Sequence, residues 1–239
     1  MQKLLSAPDE AGLPVDSGLN GMSTEELMRK AIGAFNMLKN GSEPSTVLKI
    51  FSTLQINTED GLTRIVNLVV DTAIDESELT STCASICRIL SSAKVPSRNN
   101  PGKIISFSMA YRQKCEKIIE LGIFRQTSES HQRKLEEITR FTGNIARLML
   151  IKVKDIDLIL IKFNKIGSEK CLECFCILLT DVRERMAKCT SECSMETYDD
   201  ILHEAMHSED ITETLKYMMA QLRTKLARNL GRHNMLNVQ

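Results

Sequence analysis

The sequence uses several residue types sparingly, and each shortage narrows the choice of fold. It has no Trp, only 5 Pro in 239 residues, and an aromatic content of 4%. Sandwiches and barrels of β-strands draw heavily on aromatic and β-branched residues and on turns that contain proline or glycine. The composition therefore argues against an all-β fold and favours helices.

Apolar segments of membrane-spanning length are also missing. No run approaches the roughly 20 apolar residues that a transmembrane helix requires, and residues 1–21 lack the apolar stretch of a secretory signal. We therefore predict a cytoplasmic protein with no membrane partner. In that compartment the 8 Cys are expected to stay reduced rather than to form a disulfide framework.

The residues that are present suit a globular protein whose charges are unevenly distributed. Hydrophobic residues make up 42% and charged residues 26%, and 31 basic side chains balance 31 acidic ones. This balance hides two acid-free blocks, residues 88–115 with 6 bases and residues 214–239 with 5 bases, which alternate with net-acidic segments. Such alternation is typical of a scaffold with separate docking surfaces, although ordinary solvated helix faces would give the same pattern.

Capping residues and apolar periodicity divide the chain into helices. Ser23 and Thr58 are suited to cap helices, Pro44 suits a first helical turn, and no proline follows Pro101. We predict a flexible N-terminal tail over 1–22, a helical domain over 23–230 and a C-terminal tail over 231–239. The predicted helices cover about 23–39, 44–54, 58–73, 79–90, 103–120, 129–153, 155–166, 168–182, 194–207 and 209–230, with a loop over 95–102.

Ten helices joined by short connections favour an all-α architecture with no sheet. Short links place consecutive helices antiparallel, so ten helices would form a solenoid of five pairs. A compact bundle is the alternative, because the sequence contains no strict internal repeat.

Five short motifs occur in order along the chain. They lie at Asn57–Glu76, Cys87–Pro96, Gln113–Lys117, Arg140–Ile145 and Cys171–Thr180. Together they resemble the middle domain of the eukaryotic translation initiation factor 4 gamma family, whose motifs have similar order and spacing. The resemblance implies a HEAT-like solenoid of about ten antiparallel helices in five pairs, over roughly 23–230.

The same resemblance implies a function. It predicts a non-enzymatic scaffold without a cofactor, which binds a DEAD-box RNA helicase of the initiation-factor type and mRNA in translation initiation or its regulation. Other initiation factors are further possible partners. The alternative is a related adaptor or inhibitor in mRNA decay, nonsense surveillance or histone-mRNA translation.

The matched motifs themselves indicate packing. A glycine within a helix costs roughly 1 kcal/mol relative to alanine, so Gly143 suggests a close approach between helices. Cys171, Cys174 and Cys176 fall within a helical apolar pattern, where free cysteines behave as small hydrophobic residues. We therefore interpret them as core residues rather than as metal ligands or redox thiols.

The first basic block is the predicted RNA-binding surface. Contacts from its side chains would go mainly to phosphates and would tolerate many sequences. The candidate residues are Arg88, Lys94, Arg98, Lys103, Arg112 and Lys114. The second basic block supplies an alternative basic surface, formed by Arg223, Lys225, Arg228 and Arg232.

One motif points to a different class of protein. His203, Glu204 and His207 form an H-E-x-x-H sequence, which on a helix can place two imidazoles on one face of a zinc hydrolase site. Such a site needs a third protein ligand, and no residue downstream stands at the usual spacing. We therefore predict no metal site and no catalytic residues, and keep the zinc hydrolase as a distant alternative.

Overall fold

The computed structural model describes residues 22–124, 128–188 and 195–236, with side chains described to residue 121 in the first range and to residue 227 in the last. Apart from Met22, the predicted N-terminal tail lies outside these residues. Within them, the helices are α1 Thr24–Lys39, α2 Pro44–Ser52, α3 Glu59–Asp75, α4 Thr80–Leu90, α5 Phe107–Phe124, α6 Glu129–Arg147, α7 Val153–Ile166, α8 Glu169–Ala187, α9 Met195–Met206 and α10 Glu213–Leu236. A single 3₁₀ turn, Ser77–Leu79, precedes α4.

The predicted helix starts are confirmed at the residues that carry the signals. The Ser23 hydroxyl accepts a hydrogen bond from the Glu26 amide at 3.2 Å, and the Thr58 hydroxyl accepts one from the Gly61 amide at 3.0 Å. Pro44 is the first residue of α2, where its missing N–H removes no helical hydrogen bond. Local capping chemistry therefore sets where these helices begin.

Several helix ends differ from their predicted positions by two residues or more, as in α5, which ends at Phe124 rather than near 120. Helix α6 ends at Arg147 rather than near 153, because Met149 adopts a left-handed backbone conformation that a helix cannot continue through. Helix α8 continues to Ala187. Helix α10 continues to Leu236, into the 231–239 segment that the sequence assigned to a tail.

The prediction that the fold contains no sheet is wrong. Strands β1 (Lys94–Pro96) and β2 (Ile104–Ser106) form an antiparallel hairpin in which Val95 pairs with Ile105. Both of these β-branched side chains are buried, so the hairpin is fixed to the helical core by its central pair. A strand of three residues shows too little alternation of apolar and polar residues to be recognised in the sequence as a strand.

The helices are arranged in two layers of a solenoid. Consecutive helices pack in the pairs α1–α2, α3–α4, α5–α6, α7–α8 and α9–α10. Odd-numbered helices α1, α3, α5 and α7 pack on one another in succession, and even-numbered helices α2, α4, α6, α8 and α10 form the second layer in the same way. This arrangement confirms the predicted all-α, HEAT-like fold.

Buried side chains confirm the packing roles assigned to the motifs. Cys171, Cys174 and Cys176 are all buried in the core between helices. Gly143 on α6 faces α8 so closely that an added Cβ would collide with the Asp181 carboxylate. These residues of the resemblance motifs therefore hold helices together.

Candidate nucleic-acid interface

The hairpin presents three of the predicted RNA-binding cations to solvent. Lys94, Arg98 and Lys103 are exposed, while the central pair of the hairpin faces the core. The Ser97 amide donates to the Lys103 carbonyl at 2.8 Å, which closes the loop between the strands. The three cations therefore occupy one short, hydrogen-bonded loop and the strands that flank it.

A carboxylate from α3 fixes this loop to the helical body. Glu59 Oε2 accepts from the Arg98 amide at 2.7 Å and from the Ser97 hydroxyl at 3.1 Å. Both bonds involve the loop's backbone or a neutral side chain, and the Arg98 guanidinium remains exposed. Glu59 lies within the first resemblance motif, so that motif also supports the loop.

Two other residues of the first basic block are engaged within the fold. Arg112 contacts Asp155 at 3.0 Å and Glu116 at 2.7 Å, and its side chain is only 20% exposed. Lys114 contacts Asp71 at 2.6 Å and its side chain is 15% exposed. Arg88, on α4, is exposed.

A longer basic surface emerges because loops that follow even-numbered helices lie along one edge of the solenoid. The Lys152 amide donates to the Ser108 hydroxyl at 2.8 Å, so the α6–α7 loop lies beside the start of α5. Arg185 donates to the Ala146 carbonyl at 2.7 Å, which brings the end of α8 to the same edge. We call this surface the basic edge; its exposed cations are Lys94, Arg98, Lys103, Arg147, Lys152, Lys154 and Lys188.

Sequence reasoning missed the last four of these cations. They lie within residues 116–213, where 19 acids outnumber 14 bases, so the segment looks acidic along the chain. Their positions near the ends of predicted helices could have identified these four cations, because alternate loops of a solenoid lie along the same edge.

The opposite edge carries many of the acids. Helix ends meet there through contacts such as Lys134 with Asp75 at 3.4 Å and the Thr212 amide with Glu169 at 3.2 Å. The acids in these loops and at the helix ends beside them include Glu43, Asp75, Glu76, Glu78, Glu120, Glu129, Glu169, Glu209, Asp210 and Glu213. Basic residues at this edge pair with some of these acids, as Lys39 does with Glu76.

The alternative basic surface is partly neutralised. Arg223 forms two parallel hydrogen bonds with Asp199, at 2.8 and 2.9 Å. These bonds lower the pKa of Asp199 and raise the pKa of Arg223, because each group stabilises the other's charge. Lys225 is exposed, whereas Arg228 and Arg232 lie beyond the side chains that the structure describes.

The H-E-x-x-H residues lie on the surface at the end of α9, and His207 directly follows the last residue of the helix. His203, Glu204 and His207 are all exposed, and the two imidazole rings are 4.6 Å apart. Arg223 Nη1 lies 3.0 Å from His203 Nδ1, which must accept because a guanidinium has only donors. Across the described residues, no group of three or more His, Cys, Asp or Glu side chains could hold a metal ion.

The buried cysteines have the properties of core residues. Burial raises the pKa of the Cys83, Cys115, Cys174 and Cys176 thiols to about 12. Since the thiolate is both the nucleophile and the metal ligand, these thiols are unreactive near neutral pH.

In the described part of the chain, no helix is both long and apolar enough to cross a membrane.

Together, the paired helical layers define a helical-repeat protein with several exposed cations along one edge. Its sequence is 24% identical to eukaryotic translation initiation factor 4 gamma 3 of mouse and of human, over 83% of this chain. It is 22% identical to the mouse initiation factor 4 gamma 1 over 84% of the chain. The resemblance seen in the motifs is confirmed, and the matched stretch spans 14% of each relative's length. No protein-family model matches the chain.

Proposed function

We propose that this chain is a non-enzymatic scaffold in mRNA translation or its regulation, which binds RNA and a DEAD-box RNA helicase of the initiation-factor type. The similarity to initiation factors 4 gamma over 83% of the chain is the observation that carries the proposal. Other initiation factors are further candidate partners, and the cytoplasm is the proposed place of action.

The proposed RNA-binding surface is the hairpin loop with its three cations, together with Arg88. Lys94, Arg98 and Lys103 form no ion pair among the described residues, so their charges are available to phosphates. The nearby aromatic residues Phe107 and Tyr111 are fully buried and cannot stack on bases. Binding should therefore tolerate many sequences, depend strongly on salt and be modest in affinity.

The test compares two triple variants that lose the same charge. Replacing Lys94, Arg98 and Lys103 with Ala removes about three phosphate contacts and should reduce the magnitude of the log–log salt slope for single-stranded RNA by about 2. Fluorescence anisotropy at several salt concentrations measures this slope.

The control variant replaces Lys117, Arg133 and Lys165, which are exposed and lie away from the loops that follow even-numbered helices, with Ala. Its salt slope should remain that of the wild type. If removal of the hairpin charges leaves affinity and slope unchanged while Arg223→Ala with Lys225→Ala abolishes binding, the RNA surface lies at the C-terminal block instead.

The proposed action on the helicase is one of positioning. A solenoid that holds the two lobes of a helicase at a fixed separation would reduce the entropy lost when they close around ATP and RNA. The two continuous helix layers provide a rigid frame for such a role. No side chain of this chain would take part in ATP hydrolysis.

A pull-down with a panel of purified DEAD-box helicases, followed by an ATPase assay, tests this role. We expect the initiation-factor helicase to bind and its RNA-stimulated ATPase rate to change. A decrease in rate would favour the related inhibitor or adaptor roles in mRNA decay, nonsense surveillance or histone-mRNA translation. Failure of every helicase to bind would contradict the helicase part of the proposal.

A further inference from the structure

Met149 occupies a backbone position that normally suits glycine. Its φ is 61°, and it is the one non-glycine residue with positive φ among those that the structure describes. Helix α6 ends there in a Schellman motif, in which the Met149 amide donates to Ala146 at 3.0 Å and the Leu150 amide to Ile145 at 3.1 Å. A methionine is strained in this conformation, whereas glycine is not.

Packing within the fold does not account for this methionine. Met149 is 68% exposed as a whole residue, and the adjacent Leu148 is 37% exposed. Backbone strain is typically retained where it serves a function, and at an exposed position that function can be contact with another molecule. Two neighbouring apolar side chains on a loop offer an anchor point that a partner could cover.

Two exposed lysines follow this anchor point in the chain. Lys152 and Lys154 are exposed and form no ion pair among the described residues. The nearby acids are already engaged, Asp155 with Arg112 and Asp181 with Arg147. We call Leu148, Met149, Lys152 and Lys154 the α6–α7 corner.

Hydrogen bonds hold the corner in one conformation. Arg185 donates to the carbonyls of Ala146 and Ile151, on the two sides of Met149. The Lys152 amide donates to Ser108, whose hydroxyl in turn donates to Asp155. A partner would therefore meet a preformed surface and would not need to order it.

We propose that the α6–α7 corner is a docking site for an acidic protein segment that covers Met149 with an apolar side chain. Exposed apolar side chains add nothing to phosphate binding, so they favour a protein ligand over RNA. The two exposed lysines that follow the anchor, which form no ion pair among the described residues, favour a segment rich in Asp and Glu. This site shares the basic edge with the hairpin loop, but none of its four residues is among the proposed RNA contacts.

The test uses a displayed library of random peptides, selected on the intact protein. Sequences that combine acidic residues with a bulky apolar residue should be enriched, and one such peptide then serves as a labelled probe. Met149→Gly removes the anchor without removing the turn, and should weaken the peptide by about tenfold. Lys152→Ala with Lys154→Ala should weaken it by a similar factor and reduce its salt dependence.

The controls separate docking from folding and from RNA binding. Met149→Gly should raise the melting temperature, because glycine relieves the left-handed strain, so weaker binding cannot then be attributed to unfolding. Ile161→Ala and Lys165→Ala remove an exposed apolar and an exposed basic side chain elsewhere on α7 and should leave the peptide affinity unchanged.

Two results would overturn the proposal. One is a selection that yields no peptide whose binding depends on Met149 and the two lysines. The other is loss of single-stranded RNA binding in the double lysine variant with no effect of Met149→Gly on any ligand, which would assign the corner to the RNA surface. The hairpin variant should leave peptide binding intact, so failure of the RNA proposal can be distinguished from failure of this one.

Discussion

At the scale of single residues, Gly143 shows how steric fit can reverse a helix propensity. An alanine normally stabilises a helix relative to glycine, but a Cβ at Gly143 would meet the Asp181 carboxylate and displace it from Arg147. We expect Gly143→Ala to lower the free energy of unfolding by about 1–2 kcal/mol, measured by chemical denaturation.

Gly33 provides the matched control. It also lies within a helix, α1, but an added Cβ would meet no atom within 4 Å. Gly33→Ala should therefore raise the free energy of unfolding by about 0.5–1 kcal/mol. Equal effects of the two substitutions would contradict the close α6–α8 contact.

The histidine pair on α9 gives a second expectation at this scale. His203→Ala with His207→Ala should leave stability and the binding of RNA and helicase near wild type, because both rings are exposed and no third metal ligand accompanies them in the described residues. Thermal unfolding with and without zinc, together with the binding assays above, checks this. A zinc-dependent loss of fold or of activity in the double variant would favour the hydrolase.

At the scale of elements, ion pairs join α5 to α7. Asp155 is 6% exposed and accepts from Arg112 and from Ser108. Arg112→Ala would leave this carboxylate buried with one partner fewer, so we expect a loss of about 1–3 kcal/mol in unfolding free energy. The salt slope of RNA binding should not change.

Arg88→Ala is the contrasting variant. Arg88 is exposed on α4, so its loss should leave stability within about 0.5 kcal/mol of wild type. Comparing the two variants by denaturation and by RNA titration separates structural cations from binding cations. If the salt slope of RNA binding is reduced in Arg112→Ala, Arg112 does contact RNA.

The accuracy of sequence prediction differs between kinds of element. The starts of α1 and α3 could be predicted, because Ser23 and Thr58 cap these helices through hydrogen bonds that depend only on nearby residues. The end of α6 could not be predicted, because Met149 is not a residue that marks a left-handed turn. The hairpin likewise depends on burial of Val95 and Ile105 against the helices, which is a tertiary contact.

Prediction of the candidate site was limited for a related reason. The hairpin cations lie close together in the sequence, within the acid-free block of residues 88–115, and could therefore be recognised from the sequence alone. Lys152 and Lys154 join the same edge only because the solenoid aligns alternate loops, and Arg112 leaves the surface only because Asp155 lies opposite it on another helix. Linear charge patterns contain neither fact.

At the scale of the whole molecule, the two edges should give the protein a polarity that its net charge conceals. The formal net charge is zero and the pI is about 6.9, yet we expect retention on heparin at pH 7 through the basic edge. The hairpin triple variant should elute at lower salt than the triple variant of Lys117, Arg133 and Lys165, although both lose the same charge. Identical elution of the two would show that retention follows net charge alone.

The buried cysteines also offer a set of internal reporters on how the solenoid opens. They are spread over three helices, with Cys83 and Cys87 on α4, Cys115 on α5, and Cys171, Cys174 and Cys176 on α8. Because each thiol is protected by burial, alkylation must wait for its own helix to separate from its neighbours. Site-resolved alkylation rates, read by mass spectrometry, would thus compare the opening free energies of successive repeats in the unmodified natural chain.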